Sequence, residues 1–377
     1  MSFWEIICYS LALGYAFLIL IYYMGWLLIP KSNHSFRSEP KHAFSILVPA
    51  RNEEKYIEDC VLGIINQDFP LDLFELLVLD DHSTDNTVKV VAEIQSKYPE
   101  VSLRIVLATE LGISGKKEMI TRGISLAKNP YIILTDADCT RDKEWLKAID
   151  QFFQNHQIQF VYAPVFFGSG NFFEKAQSLE FAGLVGIGGS AIQLKNPNMC
   201  SAANLIFTKS IFETVKGYEG NEHIASGDDE YLLHKVFKEV PNEVAFLKDY
   251  RAVVRTSPNA TISALAQQRR RWVSKSTKYE NRYITAILIG AYFYNLSMPI
   301  NLIMGFWDNQ FWQILLVQFG IKMISEGLML GVVLRFFKET KLLLLLPLVQ
   351  PFHIFYVIII GIWANINTYT WKERELS

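Results

Sequence analysis

Charge is missing from long stretches of this 377-residue chain. Residues 6–29 and 283–307 hold none, 309–334 hold only Lys322 and Glu326, and 342–366 hold nothing more polar than His353, Gln350 and Asn365. A bilayer core takes roughly 20 residues of helix to cross, so these runs predict one membrane helix ahead of a polar middle and about three after it. The first run has no basic n-region and no small-x-small site, which speaks against a cleaved signal and for a retained anchor. Cysteine is scarce, with Cys8, Cys60, Cys139 and Cys200 far apart and no C-x-x-C pair, so neither a zinc site nor a disulfide framework is expected. An excess of one sign of charge is missing too. The formal net charge of -2 excludes a nucleic-acid-binding protein and a charged disordered tail. No G-x-G-x-x-G follows the first predicted strand, which excludes a dinucleotide fold. Gly186-Ile187-Gly188-Gly189-Ser190-Ala191 mimics the motif without a preceding strand and is expected to serve close packing in a helix or loop.

Basic residues flank the apolar runs unevenly. Lys31, Arg37 and Lys41 follow the first, Arg269, Arg270, Arg271, Lys275, Lys278 and Arg282 precede the second, and Arg335, Lys338 and Lys341 separate the last two. The positive-inside rule then predicts an integral membrane protein with its polar domain in the cytoplasm, at the inner membrane of a bacterium, and the turn around Asp308 outside. Four full spans would leave Lys372 and Arg374 outside, where they fit poorly. Pro347 and Pro351 leave a broken or re-entrant last segment open. The expected division is a membrane helix at 1–30, a soluble domain at 42–282, a membrane region at 283–367 and a tail at 368–377.

The soluble part alternates short apolar runs with amphipathic ones, the pattern of βαβ units on a largely parallel sheet. Strands are predicted at 45–48, 74–79, 103–107 and from Tyr131, with helices at 53–66, 84–98 and 116–127 between them. A strand is also expected at 201–207. In such sheets ligands sit past the carboxyl ends of the strands.

Chemistry gathers at those ends. The run from Tyr131 stops on Asp136-Ala137-Asp138, and side chains at i and i+2 of an extended backbone face one side. Two carboxylates together suit a hard divalent cation, Mg²⁺ or Mn²⁺, whose other oxygens come from substrate phosphates. The alternative is that both cap the helix that begins near Asp142. The first strand ends in Ala50-Arg51-Asn52-Glu53 and the second in Asp80-Asp81-His82-Ser83-Thr84-Asp85, where Ser83 or Thr84 equally suits a helix cap and the aspartates a turn. Gly115-Lys116-Lys117 opens a helix whose N-terminus and lysine both suit a phosphate. A metal-bridged diphosphate is the economical ligand for this set. Gln268, Arg271 and Trp272 share one helical face. Lys322 and Glu326, one turn apart, are expected to pair within the bundle.

The succession Val48-Pro49-Ala50-Arg51-Asn52-Glu53, Leu79 to Asp85, Gly115-Lys116, Asp136-Ala137-Asp138, Gly227-Asp228-Asp229 and Gln268-Arg269-Arg270-Arg271-Trp272 resembles the membrane-bound family 2 glycosyltransferases, over about residues 44–272. That resemblance implies an α/β fold of GT-A type, the Rossmann-like, mostly parallel fold of nucleotide-diphospho-sugar transferases, in a cytoplasmic domain flanked by transmembrane helices. It implies a UDP- or GDP-sugar donor with base and ribose against Ala50, Glu53, Asp80 and Asp81, and Lys116 near the diphosphate. Asp136 and Asp138 would hold Mg²⁺ or Mn²⁺, Asp138 most directly. Asp229 would be the general base. Gly-Asp-Asp departs from the Glu-Asp of many relatives, which leaves Asp228 hard to separate from it, and both aspartates also suit a helix cap. Arg271 would meet the diphosphate, with Gln268 and Trp272 on the acceptor side and Arg269 and Arg270 facing lipid. The implied reaction is an inverting transfer to a lipid, a lipid-linked saccharide or a polysaccharide, beside membrane lipids. A processive polysaccharide synthase with coupled export and a silent scaffold of the same fold are the competing readings.

Overall fold

The computed structural model describes residues 1–31, 39–168, 170–220, 227–273, 282–363, 369–371 and 374–376. Arg37, Lys275, Lys278, Lys372 and Glu373 lie outside the described residues. In chain order the elements are α1 (Phe3–Leu28), β1 (Phe44–Ala50), α2 (Ile57–Ile65), β2 (Phe74–Asp80), α3 (Thr87–Lys97), β3 (Leu103–Leu107), α4 (Ala108–Leu111), α5 (Lys116–Leu126), β4 (Tyr131–Leu134) and β5 (Thr140–Arg141). There follow α6 (Trp145–Asn155), β6 (Phe160–Tyr162), β7 (Val165–Phe167), α7 (Phe172–Gln193), β8 (Leu205–Thr208), α8 (Lys209–Thr214), α9 (Asp228–Glu239), β9 (Val244–Phe246) and β10 (Val254–Thr256). The chain continues with α10 (Ile262–Val273), α11 (Arg282–Met304), α12 (Asn309–Phe337), α13 (Leu346–Trp363), β11 (Tyr369–Trp371) and β12 (Arg374–Leu376).

A seven-stranded sheet in the order β3-β2-β1-β4-β8-β6-β9 carries the domain. β1 runs parallel to β2, with Val48 opposite Val78, and to β4, with Leu47 opposite Leu134. β3 is parallel to β2, and β8 is antiparallel to both β4 and β6. Helices cover both faces of such a sheet, which is why β1 and β2 are almost continuously apolar rather than alternating. Every residue of β1 but Pro49 is buried, and all of β2. The ends of β1, β2, β3 and β4 therefore open on one edge.

Two helices start later than their patterns predict, because the loops after β1 and β2 bond to each other. Asn52 N–H donates to Ser83 Oγ, Glu53 N–H to Thr87 Oγ1 and Glu54 N–H to Asp85 Oδ2. Asn52 takes the left-handed conformation at φ 53° to make this crossing. The cap of α3 is neither Ser83 nor Thr84; Asp85 accepts the Thr87 N–H. The strand expected at 201–207 begins only at Leu205, after a 3₁₀ turn at Ala202–Asn204.

The glycine-rich run lies in α7, which joins the sheet to the long apolar helices. A Cβ on Gly186 would stand 2.5 Å from Val333 of α12, and one on Gly25 of α1 would stand 2.8 Å from Leu194, next to α7. The stiff Val333 leaves no room for a side chain at Gly186, whereas at Gly25 the tip of Leu194 would have to move aside. Among the described residues four helices are long and apolar enough to cross a membrane: Phe3–Leu28, Arg282–Met304, Asn309–Phe337 and Thr340–Trp363. Pro347 sits in the first turn of α13, where no intrahelical donor is lost, and Pro351 is accommodated within it, so the last segment is continuous through Trp363.

Candidate functional site

The turn after β4 departs from the extended geometry expected of it. The strand ends at Leu134, and Cys139 N–H donates to the Asp136 carbonyl at 3.2 Å, so Asp136 and Asp138 stand on a tight turn rather than one strand face. Both still line one cavity of about 1270 Å³. Asp138 receives Thr256 Oγ1–H at 2.9 Å and the Cys139 thiol. Burial raises its pKa above the ordinary carboxylate value, and the Asp136 charge adds to that. Lys116, in the first turn of α5, places Nζ 3.0 Å from Asp136 Oδ1. Burial alone would lower its pKa, but Asp136, Asp228 and Asp229 outweigh that and hold it above the ordinary lysine value.

Asp228 and Asp229 open α9 behind Gly227, whose φ of 87° suits glycine. Both Asp229 oxygens are engaged, Oδ2 by Ala202 N–H at 3.0 Å and Oδ1 by its neighbour Glu230 N–H at 2.9 Å. Oδ2 of Asp228 is buried without a hydrogen-bond partner among the described residues. Ala50, Glu53, Asp81, Gln268, Arg271 and Trp272 line the same cavity. Asp81 also accepts Gly115 N–H at 3.2 Å, tying the β2 end to α5. Asp80 does not line it: one oxygen accepts Ser83 N–H at 3.2 Å, and the other is buried without a hydrogen-bond partner among the described residues. Asp80 thus shapes the turn behind the site.

Among the described residues no three His, Cys, Asp or Glu side chains stand close enough to hold a metal ion by themselves. The candidate donor set is then the two carboxylates of the turn, Asp138 buried beside the Asp136 charge and Asp136 paired with Lys116. Such a pair of carboxylates fits a hard cation completed by phosphate and water oxygens.

Residues 45–216 match the family model Glycosyl transferase family 2. The similarity to that family covers this part of the chain. Poly(ribitol-phosphate) beta-N-acetylglucosaminyltransferase TarS of Staphylococcus aureus is 34% identical over 114 residues, 30% of this chain and 19% of the relative. Beta-monoglucosyldiacylglycerol synthase of a Nostoc species is 27% identical over 140 residues, 37% of this chain and 30% of the relative. The chain spans less than a third of the length of these curated relatives. Mannosyltransferase PcManGT from Pyrobaculum calidifontis, solved with GDP-Man and Mn²⁺, superposes with a TM-score of 0.56 at 17% identity, covering 96% of this chain and 99% of that one. At that identity the match establishes the GT-A fold alone.

The sheet domain does not wall this cavity alone. Beyond Trp272 the lining passes to Glu180 and Phe181 of α7, Leu288 and Tyr292 of α11, Lys322 of α12 and His353 of α13. Here two expectations fail. Arg269 and Arg270 are 3% and 7% exposed and do not face lipid. Arg269 pairs with Glu180 at 2.9 Å, donates to Gln268 and lies 4.2 Å over the Trp272 ring, while Arg270 lies 5.0 Å from the Trp363 ring. A guanidinium loses too much hydration to face hydrocarbon unpaired, so both turn inward to partners. Glu180 went unmarked in the sequence because its partner is 89 residues away. Lys322 and Glu326 do pair, at 2.5 Å, and Glu326 also accepts from Tyr15 and Gln350.

Proposed function

We propose that this protein is an inverting, metal-dependent glycosyltransferase that moves a sugar from a UDP- or GDP-sugar to a lipid, lipid-linked or saccharide acceptor at a membrane. The observation that carries the reading is the meeting, in one cavity, of the Asp136–Asp138 turn, Lys116, the Asp228–Asp229 pair and Arg271. The family match at 45–216 supports the donor class. In this reading the nucleoside lies against Ala50, Glu53 and Asp81, while Lys116 and Arg271 offset charge on the departing diphosphate. Asp136 and Asp138 hold Mg²⁺ or Mn²⁺, which when bound neutralises diphosphate oxygens. Asp229, oriented by two backbone N–H groups, takes the proton of the acceptor hydroxyl, with Asp228 as the alternative base. Direct displacement inverts the anomeric centre.

The exposed basic residues Lys31, Lys41, Arg282, Arg335, Lys338 and Lys341 support a cytoplasmic domain. Lys338 lies 3.7 Å from the Tyr250 ring, so the turn between α12 and α13 is on the domain's side. The test is nucleotide release by the full chain in lipid, with Mn²⁺ or Mg²⁺ and a panel of nucleotide sugars. Release that Asp138→Ala and Asp229→Asn abolish supports the reading. No metal-dependent release above those variants in any arm overturns it.

A further inference from the structure

Resting on that reading, we propose that Thr256 is a positioning residue of the metal site, whose hydroxyl fixes the orientation in which Asp138 meets the cation. Thr256 Oγ1–H donates to Asp138 Oδ2 at 2.9 Å, and both residues line the cavity. A strand register sets up the bond. β10 is the middle strand of a three-stranded sheet with β5 and β7, and it pairs Val254 with Arg141 and Arg255 with Thr140. Continuing that register brings Thr256 level with Cys139, beside the turn that carries Asp138. On its other side β10 runs parallel to β7, with Thr256 opposite Phe167. β7 is itself anchored, since Phe166 is fully buried and its ring lies 4.6 Å from that of Phe337 at the end of α12. A β-branched side chain on such a strand has little rotamer freedom, so Thr256 is the rigid partner and the carboxylate follows it.

The two aspartates of the turn are held in different ways. Asp136 has Lys116 at 3.0 Å, a partner that offsets its charge. Asp138 is held by neutral donors, the Thr256 hydroxyl and the Cys139 thiol. A carboxylate offers about four lone-pair sites, so a neutral donor on one of them fixes the group and leaves both its charge and its other sites to a metal ion. Partners of this kind orient a ligating carboxylate and tune its affinity for the metal. Nothing near Asp138 in the chain marks the partner, which is 118 residues away. A hydroxyl that only satisfied a buried carboxylate would contribute to stability and leave metal affinity alone, and the two roles separate by measurement.

The experiment measures Mn²⁺ binding to the full chain in lipid nanodiscs, from the electron paramagnetic resonance signal of free Mn²⁺, with and without UDP or GDP. The thermal unfolding midpoint of each variant is read alongside. Thr256→Val removes the hydroxyl at nearly constant volume and is expected to weaken Mn²⁺ binding roughly 10–100-fold. Thr256→Ser keeps the hydroxyl and is expected to restore most of that loss. Thr140→Val removes a neighbouring hydroxyl that bonds to the Arg255 carbonyl at 3.4 Å instead of to the carboxylate, and is expected to bind Mn²⁺ as wild type does. Thr256→Ala stands in if the valine variant does not fold. Unchanged Mn²⁺ affinity in Thr256→Val, with or without a lower unfolding midpoint, overturns the positioning role, as does an equal loss in Thr256→Ser or in Thr140→Val. The glycosyltransferase reading survives each of those results. Absence of Mn²⁺ binding by wild type in every arm, or binding that Asp138→Ala leaves unchanged, overturns the metal role in that reading and this proposal with it.

Discussion

Among the described residues, four carboxylates line one part of the cavity beside two cations, while in another part the ion pairs are matched one to one. Asp136, Asp138, Asp228 and Asp229 line it with Lys116 and Arg271, whereas Glu180 holds Arg269 and Glu326, behind the lining, holds Lys322. An acidic surplus is costly unless something cationic arrives, so the first end is incomplete without a ligand. The second end is complete, and its charges hold helices together. Mutation should therefore cost activity at the first end and stability at the second.

The largest expected effect is at the acidic end. Asp229→Asn keeps the shape but removes the proposed base, and should lower turnover by roughly 10²–10⁴-fold with thermal stability little changed. Asp228→Asn in the same assay separates the two aspartates, and a greater loss there would transfer the base role to Asp228. At the matched end, Glu180→Gln strands a buried guanidinium and should cost about 3–5 kcal/mol in unfolding free energy. The pair Glu180→Gln with Arg269→Gln should recover part of it, and a purely additive double variant would show that the pair is not coupled. Gly186→Val drives a side chain into Val333 and should cost about 1–3 kcal/mol, read from the unfolding midpoint in detergent. The smallest effect is in acid. Burial pushes the Glu180 carboxyl up, but the Arg269 guanidinium outweighs it and holds the pKa below the usual value. A lowered folded pKa gives stability that is present above the ordinary carboxylate pKa and lost as pH falls through the folded value. Wild type should thus lose more stability than Glu180→Gln over that acid range.

Legibility in the sequence follows the same division. The acidic end is built from strand termini, where an apolar run stops on polar residues within a few positions, so Asp81, Lys116 and the two turn aspartates stand out. Its errors are local: the turn at Asp136–Asp138 curls where an extended backbone was expected, and Asp80 points into its own turn. The matched end depends on partners far apart in the chain. Nothing near Arg269 names Glu180, and nothing near Tyr15 names Glu326, 311 residues on. Periodicity marks such helices as apolar but does not say which of their polar residues meet.

The glycine contacts of α7 have a geometric consequence. The helix lies against α12 at Gly186 and against Phe246 of β9 at Gly189, so one rod is clamped by the sheet on one side and by the bundle on the other. The distance from the cavity's carboxylates to the long apolar helices is then a fixed dimension of the protein. Under the proposed reaction such a fixed distance is a gauge, one that would select acceptors by length as well as by chemistry.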